Sequence, residues 1–224
     1  MKISTITTPF IFSISVNCYL VKTSETTILI DTGRGGKRAT IENALESAGC
    51  RRGDLGLIIL THGDFDHSGN AAYLRDKFET KIAMHFDDLG MVELGDMTWN
   101  RKKQNLVVGA LFSLLIRLGE SDRFTADIFL KEGDDLSDYG FEATVIELPG
   151  HSKGSIGLLS SGGDLFCGDL LGNQKRPGLW SIIDDPVAAA ASLDKLKGLD
   201  IETVYPGHGK PFAMQELVLP DSSK

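Results

Sequence analysis

Apolar residues fall in short runs along this chain, and the polar residues between them mark turns. Two early runs, FIFSISVNCYLV at 10–21 and TTILI at 26–30, are rich in β-branched and aromatic residues. They are separated by the turn formers TSE and closed by DTGRGG, which predicts antiparallel strands entering a sheet. The periodicity then changes. RATIENALESAG places Ile41, Ala44, Leu45 and Ala48 on one face and ends in Gly49, the pattern of a helix with a glycine at its C-terminus. LGLIIL at 55–60 is a continuous apolar run of strand length, and SGNAAYLRDKF at 68–78 reads as the helix after it.

Strand and helix alternate again through KIAMH, SIGLLS, DLFCGD, the Ala-rich DPVAAAASLDKLKG and TVYPGHG. No internal repeat or low-complexity linker interrupts the pattern, so residues 1–224 read as a single domain. Residues 87–125 break the alternation with a helical pattern and are expected to form an inserted helical pair. Within it, LVVGALFSLLI at 106–116 falls short of the roughly 20 residues that span a bilayer. That run reads as core or as a contact between copies of the chain in a homo-oligomer. The basic RKK at 101–103 reads as a solvated face, with contact to an anionic substrate group as the alternative.

Composition narrows the partners. The chain is 42% hydrophobic and 24% charged, with a formal net charge of −8. Such a surface repels nucleic acid on average and favours a small-molecule substrate. Three scattered cysteines form no CxxC pair, which argues against a disulfide framework; with no readable secretory signal, a cytoplasmic protein is expected.

Candidate chemistry is concentrated in THGDFDHSGN, where His62, Asp64, Asp66 and His67 fall within six residues directly after the LGLIIL run. Side chains two apart on a strand share a face, so His62 and Asp64 should point together, with Asp66 and His67 following at a helix start. That much carboxylate and imidazole at the end of a buried strand calls for a cation. Three further candidates lie in glycine-rich turns after strands: His151 in LPGHSKGSIG, Asp169 in FCGDLLG and His208 in YPGHGKP. The fifth histidine, His85, lacks that context and reads as structural. Cys167 could share a face with Asp169, yet a buried small hydrophobe is the better reading for it. DTGRGG matches neither GxGxxG nor the P-loop spacing.

Taken in order, ILIDTG, LTHGDFDHSGN, LPGHSKGSIG, FCGDLL and VYPGHG cover nearly the whole chain and resemble the metallo-β-lactamase-fold hydrolases. The resemblance implies an α+β fold, a four-layer αββα sandwich in which two mixed β-sheets are flanked by helices. It also implies a one- or two-metal site at one edge of the sheets. Carried over by position, it puts one divalent ion on His62, Asp64 and His151, and a second on Asp66, His67 and His208, with Asp169 between them. Asp66 is a ligand, or else the group that orients the attacking hydroxide. Asp31, in the DTG turn, would support the ligands from behind.

One residue departs from the pattern. Most hydrolases of this family carry HxHxDH, whereas position 64 here is aspartate. The added hard oxygen donor favours iron or manganese over zinc, and the added negative charge should make a bound water less acidic. The resemblance therefore implies a hydrolase in which a hydroxide held by two divalent ions attacks a small ester, thioester or lactone. Two other readings stay open: a diiron redox protein, similar to flavodiiron proteins but without room for their flavodoxin domain, and a non-catalytic metal-binding member of the fold.

Overall fold

A computed structural model describes residues 1–9, 14–102 and 118–217. Its strands form two mixed sheets. In the first, β1 (Lys2–Pro9), β2 (Ser15–Lys22), β3 (Thr27–Ile30), β4 (Leu55–Ile59), β5 (Ile82–His85) and β6 (Ile128–Leu130) lie side by side in chain order. The β1–β2 and β2–β3 pairs are antiparallel and the rest parallel. The second sheet is built from β7 (Ala143–Glu147), β8 (Ile156–Ser160), β9 (Asp164–Asn173), β10 (Pro177–Leu179), β11 (Thr203–Gly209) and β12 (Phe212–Ala213). Its order is β12-β11-β9-β8-β7, with β10 added against β9, and β9 and β11 run parallel.

The continuous apolar runs have a structural reason: these strands are covered on both faces. Along β4, Leu55 and Ile58 face the helices, while Leu57 and Ile59 face the other sheet. The same alternation splits β2, with Cys18 and Leu20 outward and Tyr19 and Val21 inward. Between the sheets, Ile28, Ile30, Val145, Leu158 and Phe166 complete one core. Outside the first sheet lie α1 (Arg38–Ser47), α2 (Phe65–Ser68), α3 (Ala71–Phe78) and α4 (Leu89–Glu93). Outside the second lies α5 (Pro186–Lys197), whose Ala189, Leu193 and Leu196 pack on Leu165 and Cys167. The arrangement is the expected αββα sandwich.

Local signals hold at the helix ends. Gly49 follows α1 with φ +79°, and the Gly49 and Cys50 N–H groups close the last turn on Glu46 and Leu45. At the start of α5, the Asp185 carboxylate accepts from the Val187 and Ala188 N–H groups, and Pro186 occupies the first turn.

The structure also differs from the sequence reading in three places. The helix expected over 68–78 is two helices, α2 and α3, broken at Gly69–Asn70. The Gly69 position lies so close to the Gly35 and Phe65 backbone that no side chain would fit there. β1, β6, β7, β10 and β12 were not among the runs read as strands: β1 is an edge strand with mostly exposed polar residues, β6 and β10 have three residues each and β12 has two. In the 87–125 segment, the described part contains α4 and one-turn 3₁₀ helices at Phe86–Asp88 and Glu120–Asp122. The apolar run at 106–116, and with it the expected helical pair and homo-oligomer contact, lies outside the described residues. Among those described, no helix is long and apolar enough to cross a membrane.

Candidate metal centre

Every ligand-type residue singled out by the sequence reaches one edge of the sandwich. The turn after β3 brings Asp31, the turn after β4 brings His62 and Asp64, and α2 brings Asp66 and His67. The β7–β8 connection supplies His151, β9 supplies Asp169 and β11 supplies His208. Because β4 ends at Ile59, His62 and Asp64 sit in a turn rather than on the strand. The turn still brings them together, with His62 Nε2 3.7 Å from Asp64 Oδ2.

Three groups result whose donor atoms lie within 4.8 Å of one another: His62, Asp64 and His151; Asp66, His67 and His208; and His62, His67 and Asp169. Asp169 spans the first two, its Oδ1 3.4 Å from His67 Nε2 and its Oδ2 3.1 Å from His208 Nε2 and 3.9 Å from His151 Nε2.

Each imidazole is held from its other nitrogen. His67 Nδ1 is 2.8 Å from Asp31 Oδ2, His151 Nδ1 2.7 Å from the Ile182 carbonyl, and His208 Nδ1 2.7 Å from the Ser15 carbonyl. His62 Nδ1 is 3.0 Å from Thr61 Oγ1. These contacts turn all the Nε2 atoms into the cluster, the orientation a metal site requires. Asp31 takes a left-handed backbone conformation, φ +59°, and also accepts from the Thr61 N–H and hydroxyl, so it ties the β3 and β4 turns to His67.

The cluster fits a cation. His62 Nε2, His67 Nε2 and Asp169 Oδ1 are buried and make no hydrogen bond among the described residues, in a protein interior where nearly all such atoms are paired. Electrostatics points the same way. Burial, reinforced by the charges of His67 and His151, holds His62 well below the usual imidazole range and leaves it neutral. Burial would also lower His67, but Asp169, Asp31 and Asp66 push it up to about 10. Burial opposes ionisation of Asp169, and the surrounding His208, His67 and His151 overcome it, holding the carboxyl below its ordinary value. Asp66 is pushed up, chiefly by burial.

The glycines of these motifs are spaces for close approach. A Cβ on Gly207 would strike Asp169 Oδ1 and come within 2.7 Å of His67 Cε1. On Gly154 it would lie 2.7 Å from the Asp88 carboxylate and backbone nitrogen.

Three residues of the site were missed by the sequence reading. Asp88 is fully buried, and its carboxylate accepts from Gly63 N–H at 3.0 Å, Gly154 N–H at 2.8 Å and Ser152 Oγ at 2.6 Å. It therefore joins the turn carrying His62 and Asp64 to the one carrying His151. Trp180 lies flat on the His208 ring, centroids 4.4 Å apart and planes 8° from parallel. Arg101 donates from Nη2 to both Asp64 oxygens, at 2.7 and 2.8 Å. The 101–103 stretch is thus no solvated face at Arg101, whose side chain is 13% exposed, and Lys102 pairs with Asp185 at 3.0 Å. Nothing in the local sequence marks Asp88 or Trp180, and the basic run around Arg101 points to solvent, because each of the three acts on a partner far along the chain.

The two remaining candidates are accounted for. His85 lies outside all three groups; its Nδ1 accepts from Asp87 N–H and its Nε2 is 3.3 Å from Glu147. Cys167 packs in the core under α5, and burial pushes its thiol up to about 12, as suits a small hydrophobe.

Comparison with known proteins gives a consistent family. Residues 13–208 match the Metallo-beta-lactamase superfamily. The chain is 28% identical over 204 residues to a probable metallo-hydrolase of Methanocaldococcus jannaschii, covering 89% of this chain and 90% of that one. It is 30% identical to an acyl-coenzyme A thioesterase of Bos taurus, over 90% of this chain and 75% of the relative. It is 32% identical to hydroxyacylglutathione hydrolase 1 of Vibrio vulnificus, over 81% of this chain and 57% of the relative. Among solved structures, the di-iron-bound form of TTHA1623 superposes with a TM-score of 0.70 at 28% identity, covering 92% of this chain and 93% of that one. The B3 metallo-β-lactamase BLEG-1 shares the fold, with a TM-score of 0.72 at 23% identity over 96% and 95% of the two chains.

Proposed function

The chain belongs to the metallo-β-lactamase superfamily of metal-dependent hydrolases, and from that premise we propose that it cleaves a small ester, thioester or lactone with the help of two divalent metal ions. The observation that carries this reading is the set of buried donor atoms with no hydrogen bond among the described residues, His62 Nε2, His67 Nε2 and Asp169 Oδ1, aimed into one cluster. His62, Asp64 and His151 would hold one ion, and Asp66, His67 and His208 the other, with Asp169 placed to touch both. When bound, the ions supply a water acidic enough to attack at neutral pH and a Lewis acid for the substrate carbonyl.

The chain's own residues do the rest. Asp31 and the carbonyls of Ile182 and Ser15 fix the orientations of His67, His151 and His208, so their Nε2 atoms already face the cluster. Asp66 is pushed towards protonation by burial and by its acidic neighbours Asp64 and Asp169; a cation beside it would restore its charge. It serves as a ligand and, secondarily, as a group able to orient the attacking water. Asp88 keeps the two ligand turns in register. Thioesters are favoured because two relatives carry the names acyl-coenzyme A thioesterase and hydroxyacylglutathione hydrolase.

Iron or manganese is favoured by the carboxylate at 64, and the di-iron-bound TTHA1623 supports the same choice. That carboxylate also favours a second reading, a diiron redox protein. A panel of acyl-thioesters, aryl esters and lactones, run with oxygen consumption on the same preparation before and after chelation, separates the two. Chelator-sensitive hydrolysis supports the proposal. Metal-dependent oxygen uptake without hydrolysis overturns it in favour of the second.

A further inference from the structure

Asp64 does not stand alone opposite its histidines. One of its oxygens, Oδ2, is 2.8 Å from His151 Nε2, while both oxygens accept from Arg101 Nη2. The pair is largely withdrawn from solvent, with side chains 13% and 14% exposed. The arginine is held in place by its neighbour as well: the Lys102 N–H donates to the Asp184 carboxylate at 2.9 Å, and Lys102 Nζ meets Asp185 at 3.0 Å. This fastens the segment between the turn of Asp64 and the loop before α5. Arg101 also feels the negative charge of Asp88 and Asp184, so it sits in an acidic wall.

We propose that Arg101 and Asp64 act as one unit in place of the histidine that the common HxHxDH pattern puts at position 64. The inference rests on the reading of the pocket as a metal centre. A neutral imidazole brings a donor atom and no charge. Aspartate alone brings a donor and one negative charge, and the guanidinium bound to it cancels that charge. Arg101 thus removes the electrostatic advantage Asp64 would give a divalent ion while leaving the oxygen donor in place. The His62, Asp64 and His151 subsite then binds its ion more weakly than its three donors would alone.

Changing Asp64 to histidine alone restores the common ligand set but strands a buried guanidinium beside the ions, where it repels them. Recovery requires that the arginine go as well. Arg101 is a positioning residue in this account and makes no contact with substrate.

The test is titration of metal-free protein with Zn²⁺ and with Mn²⁺ against a chromogenic chelator. Wild type, Arg101→Met, Arg101→Lys, Asp64→His and Asp64→His/Arg101→Met are compared, with denaturation midpoints recorded alongside. Removing a full charge a few ångströms from a divalent ion should tighten the weaker site about tenfold or more in Arg101→Met. Arg101→Lys keeps the charge and should stay within about threefold of wild type on the same electrostatic grounds. Asp64→His should lose about tenfold or more at that site, and the double substitution should return to within about threefold of wild type.

Equal affinities in wild type and Arg101→Met, or in Asp64→His and the double variant, would overturn the proposal while leaving the metal centre intact. If Arg101→Met lowers the midpoint by losing the ion pair, the other comparison still decides, because neither of its members retains that pair. A wild-type protein that takes up no divalent ion overturns the metal-centre reading, and this inference with it.

Discussion

Replacing Asp88 with alanine removes one carboxylate that accepts three hydrogen bonds, from Gly63 N–H, Gly154 N–H and Ser152 Oγ. Bonds to a charged acceptor contribute roughly 1.5–3 kcal/mol each, and the two N–H donors left behind lose their buried acceptor. The gross loss is therefore about 5 kcal/mol, taking the lower end for all three. Part of it is returned. Burial pushes the Asp88 carboxyl up despite those bonds, so keeping the charge there costs free energy that alanine relieves. A net destabilisation of about 3 kcal/mol remains, equivalent to roughly 6–12 °C in Tm for a chain of this size. Asp88→Asn keeps the shape and one good acceptor oxygen but turns an amide N–H₂ towards a donor, and should cost about half as much. Urea denaturation of metal-free protein measures both. Because Asp88 joins the turn of His62 to the turn of His151, divalent-ion affinity should fall alongside stability. A loss below about 1 kcal/mol for Asp88→Ala would refute the role given to those three bonds.

Asp31→Asn should weaken divalent-ion binding by about 10- to 100-fold, because the His67 ring loses the carboxylate that orients it; equilibrium dialysis with metal analysis checks this, and unchanged affinity would remove Asp31 from the site. Ion binding should also release protons: His67 is raised to about 10, so an ion must displace a proton from it at neutral pH, while burial opposes and Asp64 and Asp169 outweigh it to move His151 and His208 in the same direction. Affinity should therefore climb as pH rises towards the His67 value, and calorimetry in buffers of different ionisation enthalpy should show net proton release; zero release or uptake contradicts the assignment.

How far the sequence could be read follows from where each signal resides. The cluster of ligand-type residues was legible because His62, Asp64, Asp66 and His67 lie within one turn and one short helix, and His151 in a glycine turn after β7; Asp169 and His208, expected in turns after strands, lie instead within β9 and β11, next to the glycines that marked them. The sandwich was legible through the family resemblance its motifs carry, and β4 and β2, apolar on both faces, are the strands that such layers cover on each side. Edge and very short strands were not, since β1 exposes most of its residues and β6 is too brief to show an alternation. Asp88, Arg101 and Trp180 escaped for another reason. Their meaning comes from partners at Gly154, Asp64 and His208, and no local spacing encodes a pairing across that much chain. Arg101 even carried a misleading signal, since a basic run ordinarily lies in solvent.

The central claim is that this pocket hydrolyses an acyl substrate only when it holds its metal ions. Chelated protein should be restored stepwise with a divalent ion while hydrolysis of a short acyl-thioester is followed at fixed pH. The account predicts no turnover without metal and a rate that climbs to a plateau at two ions per chain, abolished in His62→Ala and His208→Ala. Turnover that survives chelation, or two ions bound with no hydrolysis across thioesters, esters and lactones, would contradict it.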